Sequence, residues 1–218
     1  MEQRQFVSDK RYLQRLISEG EHQQQDFKYK VQDAAKLAKS VSAFANTDGG
    51  RLLIGVRDDG HMSGVRSGEE IYMMHQAAYR HCQPAASIKF DTYMVEGRTI
   101  VVATVPPSDK RPIMALSDDG KRRAYIRIAD ENIVASPVHL TIWREAQKAE
   151  GSMMTYTDSV KKLIATIQDN RLSLNQLVRR SSLPRHKVIT ILAQLIRFNV
   201  AQWEYANQQF RFCLLNPD

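Results

Sequence analysis

Residues 20–64 read GEHQQQDFKYKVQDAAKLAKSVSAFANTDGGRLLIGVRDDGHMSG, and the changes of period inside this stretch decide the fold. Asp26 to Lys30 alternates in the manner of a short strand. From Asp33 the period lengthens. Ala34, Leu37, Ala38, Val41, Phe44 and Ala45 recur at three- and four-residue spacing, which predicts a helix with one apolar stripe and with Lys36 and Lys39 outward. Asp33 suits the helix start, where a carboxylate accepts from exposed N–H groups. Asn46-Thr47-Asp48-Gly49-Gly50 stops the helix, since glycine takes positive φ without a Cβ clash. Leu52 to Val56 then reads as a strand buried on both faces, and Asp58-Asp59-Gly60 as a tight hairpin turn.

The same residues carry a resemblance. Gly20-Glu21, Asp26-Phe27-Lys28, Ala43 to Gly50, Leu53 to Val56, Asp58, Gly60 and Gly64 resemble the AlbA-like domain of Schlafen proteins and their bacterial relatives, also described as a divergent AAA-type domain. Tyr125-Ile126-Arg127 resembles that family's later tyrosine-any-arginine strand. Asp26 stands where the family often has glutamate. The resemblance implies a mixed α/β domain. For the nuclease members it implies a divalent-metal site for RNA cleavage at Glu21, Asp26 and Asp58, loaded with manganese or magnesium, which would polarise phosphate and activate water. ATP is implied by the family's other name alone, because no GxxxxGK[ST] phosphate loop is present.

Outside the quoted stretch, Ser8 or Asp9 is expected to cap a first helix burying Tyr12, Leu13, Leu16 and Ile17. Ser67-Gly68-Glu69-Glu70 opens a helix that continues through Ile71, Met74, Ala77 and Ala78 to Cys82, and Pro84 stops it. Strands 87–95 and 98–105 flank an Glu96-Gly97 turn. Strands 112–116 and 123–128 flank Ser117-Asp118-Asp119-Gly120. Residues 139–148 read as helical, and Ala149-Glu150-Gly151-Ser152 as a linker. The expected division is therefore 1–150 and 151–218. Met62, Met73, Met74 and Met94 read as core filler.

The last part of the chain has its own pattern. Val160, Leu163, Ile164 and Ile167 form one helical stripe. Ser173 and Gln176 make a capping box ahead of Leu174, Leu177 and Val178. Pro184 begins a third helix burying Val188, Ile191, Leu192, Leu195 and Ile196. Residues 200–205 and 210–214 then form a hairpin around Ala206 to Gln209. Three helices followed by a hairpin resemble a winged helix-turn-helix. The fold class is thus α+β, a Schlafen/AlbA-like domain followed by a small winged helix.

The net charge is +7, with 31 Lys and Arg against 24 Asp and Glu. Residues 155–218 hold nine of these cations against four acids, so the basic excess concentrates where a polyanion would bind. Cys82 and Cys213 are far apart and form no CxxC, which speaks against a disulfide scaffold and a thiolate zinc site. His61, His75, His81 and His139 show no metal-ligand spacing. The start MEQRQFVSDKRYLQ lacks a signal peptide's apolar run, and no segment is long enough to span a bilayer, so a cytoplasmic protein is expected.

The nucleic-acid candidates follow from placement. Arg185, His186, Lys187, Thr190 and Gln194 lie on the polar side of the third helix, where the first residues would reach base edges. Arg179, Arg180 and Arg211 are expected on phosphate. In the first domain Lys28, Lys30, Lys121, Arg122, Arg123 and Arg127 are the candidates for further nucleic-acid contact. These placements predict a DNA-binding transcriptional regulator, double-stranded DNA its partner and a homodimer its form. The alternatives are the RNA endonuclease and an ATP-binding regulatory module.

Overall fold

A computed structural model describes residues 2–65, 68–117, 119–148, 153–168 and 170–215, with side chains from Asp9 onward. Expectations placed on Ser67, Asp118, Gly151 and the Ser8 side chain lie outside the described residues.

The first unit, Met1–Val134, begins with helix α1 (Glu2–Glu19), which starts upstream of Asp9, so Asp9 lies within it rather than capping it. Strand β1 (Gln25–Lys28), helix α2 (Ala34–Asn46) and strand β2 (Gly50–Ile54) form a β-α-β crossover with the strands parallel. Asp33 caps α2 by accepting from the N–H groups of Ala35 (2.9 Å) and Lys36 (3.1 Å). Helix α3 (Glu69–Gln76) runs into a π-helical turn (Ala77–His81) before strand β3 (Cys82–Gln83), so the expected single helix changes its winding halfway. Strands β4 (Lys89–Val95) and β5 (Arg98–Val105) form the expected hairpin, with Glu96 and Gly97 both at positive φ. The first sheet has the order β1-β2-β5-β4.

Strands β6 (Met114–Leu116), β7 (Arg122–Ile128) and β8 (Glu131–Val134) complete a second sheet, β3-β6-β7-β8. The two faces of β2 explain its composition. Leu52 and Ile54 join a core under α2 and α3, while Leu53 packs with Leu13, Leu16 and Phe27 on the α1 side. Gly49 has the positive φ expected of a helix terminator. Gly50 does not. It is glycine because a Cβ there would stand 2.4 Å from the Phe44 ring. Met74 is fully buried as expected, but Met94 is 54% exposed on edge strand β4.

The second unit is Ala135–Asp218, so by packing the division falls before helix α4 (Pro137–Ala146) rather than at the linker. Val138 of α4 belongs to the same apolar cluster as Leu163, Leu192 and Phe212, which is why the helix goes with the C-terminal part. Helix α5 (Asp158–Ile167), strand β9 (Leu172–Ser173), helix α6 (Leu174–Ser181), helix α7 (Arg185–Arg197) and strands β10 (Ala201–Ala206) and β11 (Gln209–Leu214) follow. The sheet order β10-β11-β9 and the three helices give the winged-helix arrangement. Ser173 and Gln176 form the capping box read from the sequence. Among the described residues no helix is long and apolar enough to cross a membrane.

Candidate nucleic-acid interface

Three groups of side chains were expected to act, and the structure treats them differently. The carboxylates come first. Glu21 and Asp26 meet at the start of β1. Glu21 Oε1 accepts from the Phe27 N–H at 2.8 Å. Although Glu21 as a whole is exposed, its carboxyl is partly withdrawn from water. That withdrawal, and then a hydrogen bond with Asp26, raise its pKa above the ordinary value. Asp26 is buried, and cations already engage it: Lys28 Nζ lies 2.7 Å from Oδ2 and Arg127 Nη2 3.5 Å from Oδ1. Asp58 stays in the exposed turn closed by Gly60 N–H donating to the Arg57 carbonyl at 2.8 Å. Among the described residues no group of three or more His, Cys, Asp or Glu side chains is placed to hold a metal ion. The structure therefore joins two of the three carboxylates and leaves Asp58 outside any such group, because a turn places it independently of the sheet.

The basic residues of the first unit divide likewise. Arg127 is 2% exposed, so it is a structural residue and not a surface for nucleic acid. Its guanidinium donates to the carbonyl of Gln25 (3.2 Å) and to Asn132 Oδ1 (3.1 Å), and it lies 5.2 Å above the Phe44 ring. Arg123 makes two bonds to Asp119 (2.7 and 2.6 Å), holding that carboxyl well below the usual carboxylate range. Lys121 and Arg122 are exposed. Lys28 and Lys30 line a cleft of about 320 Å³ with Lys36 and Asp33, so this cluster stays accessible. Lys36 was expected only to face solvent. Its spacing from Lys28 and Lys30 on either side of a turn hid the grouping.

The third group is the most coherent. Arg185, His186, Lys187 and Thr190 are all exposed along α7, and Gln194 is half-buried further along. The buried side of the helix, Val188, Ile191, Leu192 and Leu195, fixes this polar side outward. Thr190 Oγ1 donates back to the His186 carbonyl at 3.0 Å, which leaves its methyl free to touch a ligand. Arg179 and Arg180 are exposed at the end of α6, with Arg180 bonded to Asn170 Oδ1 at 3.4 Å. Arg211 is only half-exposed and its Nε is buried, because it sits mid-strand between Glu204 and Ser173 rather than at the hairpin tip. Between the starts of α6 and α7 and the hairpin tip lies a cleft of about 230 Å³, lined in part by Asn175, Arg185, Gln208 and Gln209. Asn175 holds the Arg185 guanidinium at 2.6 Å. Sequence reading missed Asn175, Gln208 and Gln209, since uncharged amides at turns carry no signal until the fold gathers them.

Comparison with known proteins adds the following. Residues 21–136 match the family description Schlafen, AlbA_2. Residues 158–204 match the helix-turn-helix domain of RNA polymerase III subunit RPC82. No curated protein matches the chain. Among solved structures it is similar to the DIP2311 protein of Corynebacterium diphtheriae, at 19% identity and a TM-score of 0.46, over 87% of this chain and 34% of that one. It is also similar to the N-terminal domain of a RecG-related protein of Nitrosomonas europaea, at 21% identity and a TM-score of 0.39, over 66% of this chain and 95% of that one. The chain thus spans about a third of the length of the DIP2311 protein.

Proposed function

Because the chain belongs to the Schlafen AlbA_2 family and carries a helix-turn-helix domain, we propose that it reads duplex DNA as a transcriptional regulator. Both domain types are those of a nucleic-acid-binding protein. The finer reading rests on one observation above others: the exposed row Arg185, His186, Lys187 and Thr190 at the start of α7, beside the β10–β11 hairpin. An α-helix fits the major groove, and its first residues approach base edges, where Lys and Arg pair with guanine and a Thr methyl meets thymine. Arg179 and Arg180 would hold phosphate and set the register. The first domain would dimerise the chain, sense a ligand or add nucleic-acid contacts, and a two-fold would set two α7 helices on a palindromic site.

The test is a gel shift with random duplex DNA across a salt series. The parent chain should bind and lose affinity as salt rises. Lys187→Ala combined with Thr190→Ala should weaken binding by at least about tenfold, as expected for base-edge contacts. Unchanged duplex affinity in that variant would sink the reading. A second reading, cleavage of RNA with manganese or magnesium, draws on the Glu21–Asp26 pair. Manganese-dependent shortening of transfer RNA that Glu21→Ala abolishes would favour it.

A further inference from the structure

Helix α3 buries only Met74 and turns aromatic rings outward. Tyr72 is 59% and Tyr79 53% exposed, although rings of this size ordinarily bury most of their surface. They lie seven residues apart with His75 between them, along one side of the helix. Tyr79 lies in the π-helical turn after Gln76, four residues on from His75 and so one turn along the same side. The two rings stack at 5.7 Å with 17° between their planes. From the neighbouring sheet the Phe90 ring comes within 4.7 Å of His75. Phe90 sits on β4, the edge strand. Met94, two pleats along the same face, is again exposed. None of these rings serves the cores beneath α1 or α2, apart from Phe90, which touches the edge of one.

We infer that this ladder, Tyr72–His75–Tyr79 with Phe90 and Met94, is a stacking platform for the bases of a single-stranded nucleic acid. Stacking needs a free ring face on each side, and every base supplies one irrespective of sequence. A duplex does not, since its base faces are already covered by neighbouring pairs. Charge agrees with this occupant. Arg80 follows Tyr79 and is exposed. Arg122, also exposed, donates to the His81 carbonyl at 3.5 Å beside the π turn. Of the nearby acids, Asp91 projects from the other face of β4, while Glu69 and Glu70 stand within one turn of Tyr72, so the cationic end of the ladder is the Tyr79 end. π turns inside helices are frequent at functional positions, and Tyr79 lies in one. The platform belongs to the first unit, so it is independent of the duplex reading of α7.

The experiment is fluorescence anisotropy of a labelled thymidylate dodecamer with the full chain. Its comparators are an abasic strand of the same length and charge, and the duplex. The thymidylate strand should bind. The abasic strand, and Tyr72→Ala combined with Tyr79→Ala, should be at least about tenfold weaker, the loss expected for removing base stacking. Tyr79→Phe, which keeps a ring, should restore affinity to within about twofold. Duplex binding should be untouched by the tyrosine variants, and single-strand binding untouched by Lys187→Ala with Thr190→Ala. Both tyrosines are exposed, so circular dichroism should show an unchanged fold. No binding of the thymidylate strand, equal affinity for the abasic strand, or an unchanged double-alanine variant would each overturn the proposal. So would a fall in sedimentation mass for the double-alanine variant without a change in strand affinity, which would make the patch a contact between copies.

Discussion

A guanidinium taken out of water needs acceptors on every side, and Arg127 has them. Asp26, the Gln25 carbonyl and Asn132 surround it, and Asn132 in turn donates to Ser40 Oγ at 2.9 Å. The arrangement ties β1, α2, β7 and β8 together through one side chain. Removing the arginine would strand a buried carboxylate partner and several carbonyls. Arg127→Met should therefore destabilise the first unit by about 3–5 kcal/mol, read from the urea midpoint by circular dichroism. An unchanged midpoint would show that Lys28 alone can hold Asp26. Asn46 does similar work nearby. It donates to the carbonyls of Ile113 and Tyr125 (both 2.9 Å) and accepts from the Ile113 N–H at 2.7 Å. As a helix terminator it was legible in the sequence. As the clip between α2 and the second sheet it was not, because its partners lie more than sixty residues away. The Tyr-any-Arg motif was legible in the same limited way. Its pattern is visible, but whether a strand arginine faces solvent or core depends on the strand that pairs beside it, and β8 was not foreseen.

His139 gives the residue scale a pH dependence. Ser136 N–H donates to His139 Nδ1 at 3.2 Å, closing the capping box at the start of α4. A nitrogen that accepts carries no proton, so the neutral ring keeps its proton on Nε2, which is buried without a hydrogen-bond partner. Trp203 and Phe210 stand edge-to-face with the ring at centroid distances of 4.7 and 4.9 Å, so its surroundings are aromatic and poor in acceptors. Burial pushes the imidazole down from 6.5 to about 4. The unfolded chain then binds more protons than the folded one between these values. The stabilisation is full above pH 6.5 and is lost as pH falls towards 4. Between about pH 7 and pH 5 the loss should be on the order of 2 kcal/mol. Trp143 and Trp203 are the two tryptophans and both lie in the second unit, so tryptophan fluorescence in urea reads this unit alone. His139→Gln keeps a capping-box residue and should flatten the dependence. A variant with the parent's slope would assign the proton elsewhere.

At the scale of elements, periodicity recovered every long helix and both large hairpins, since each carries its own stripe or turn signal. What escaped were pieces defined by their neighbours. Strand β8 follows a turn through Ala129 at positive φ, a residue that gives no turn signal. Strand β9 is two residues long and exists only by pairing with β11. The π turn looks like ordinary helix, because one extra residue per turn does not disturb a short apolar stripe. The wing carries a further prediction. Asn207 and Gln208 both take positive φ in a two-residue turn, the geometry that favours glycine at the second position. Gln208→Gly should raise the stability of the second unit by about 0.5–1 kcal/mol, seen as a higher urea midpoint by tryptophan fluorescence. A lower midpoint would mean that the Gln208 side chain, which lines the cleft beside Arg185, contributes more than its backbone costs.

At the scale of the molecule, the informative disagreement concerns where one unit ends. A run without apolar periodicity marks a linker in sequence, but a unit ends where burial ends. The helix before the linker gives Val138 and His139 to the core of the second unit, and α4 lies against α7 itself. A helix-turn-helix cut at the matched segment, residues 158–204, would lose that cover as well as β11. The consequence is measurable with two fragments. Residues 135–218 should fold cooperatively and retain duplex binding. Residues 153–218, without α4, should be less stable by on the order of 3 kcal/mol, the value of uncovering one or two apolar side chains and part of the Trp203 face. If both fragments unfold at the same urea concentration, α4 only rests on the winged helix, and the site on α7 owes it nothing. If the shorter fragment is weaker in stability and in duplex affinity together, α4 supports the helix that reads DNA, and the unit boundary at Val134 is also the functional boundary.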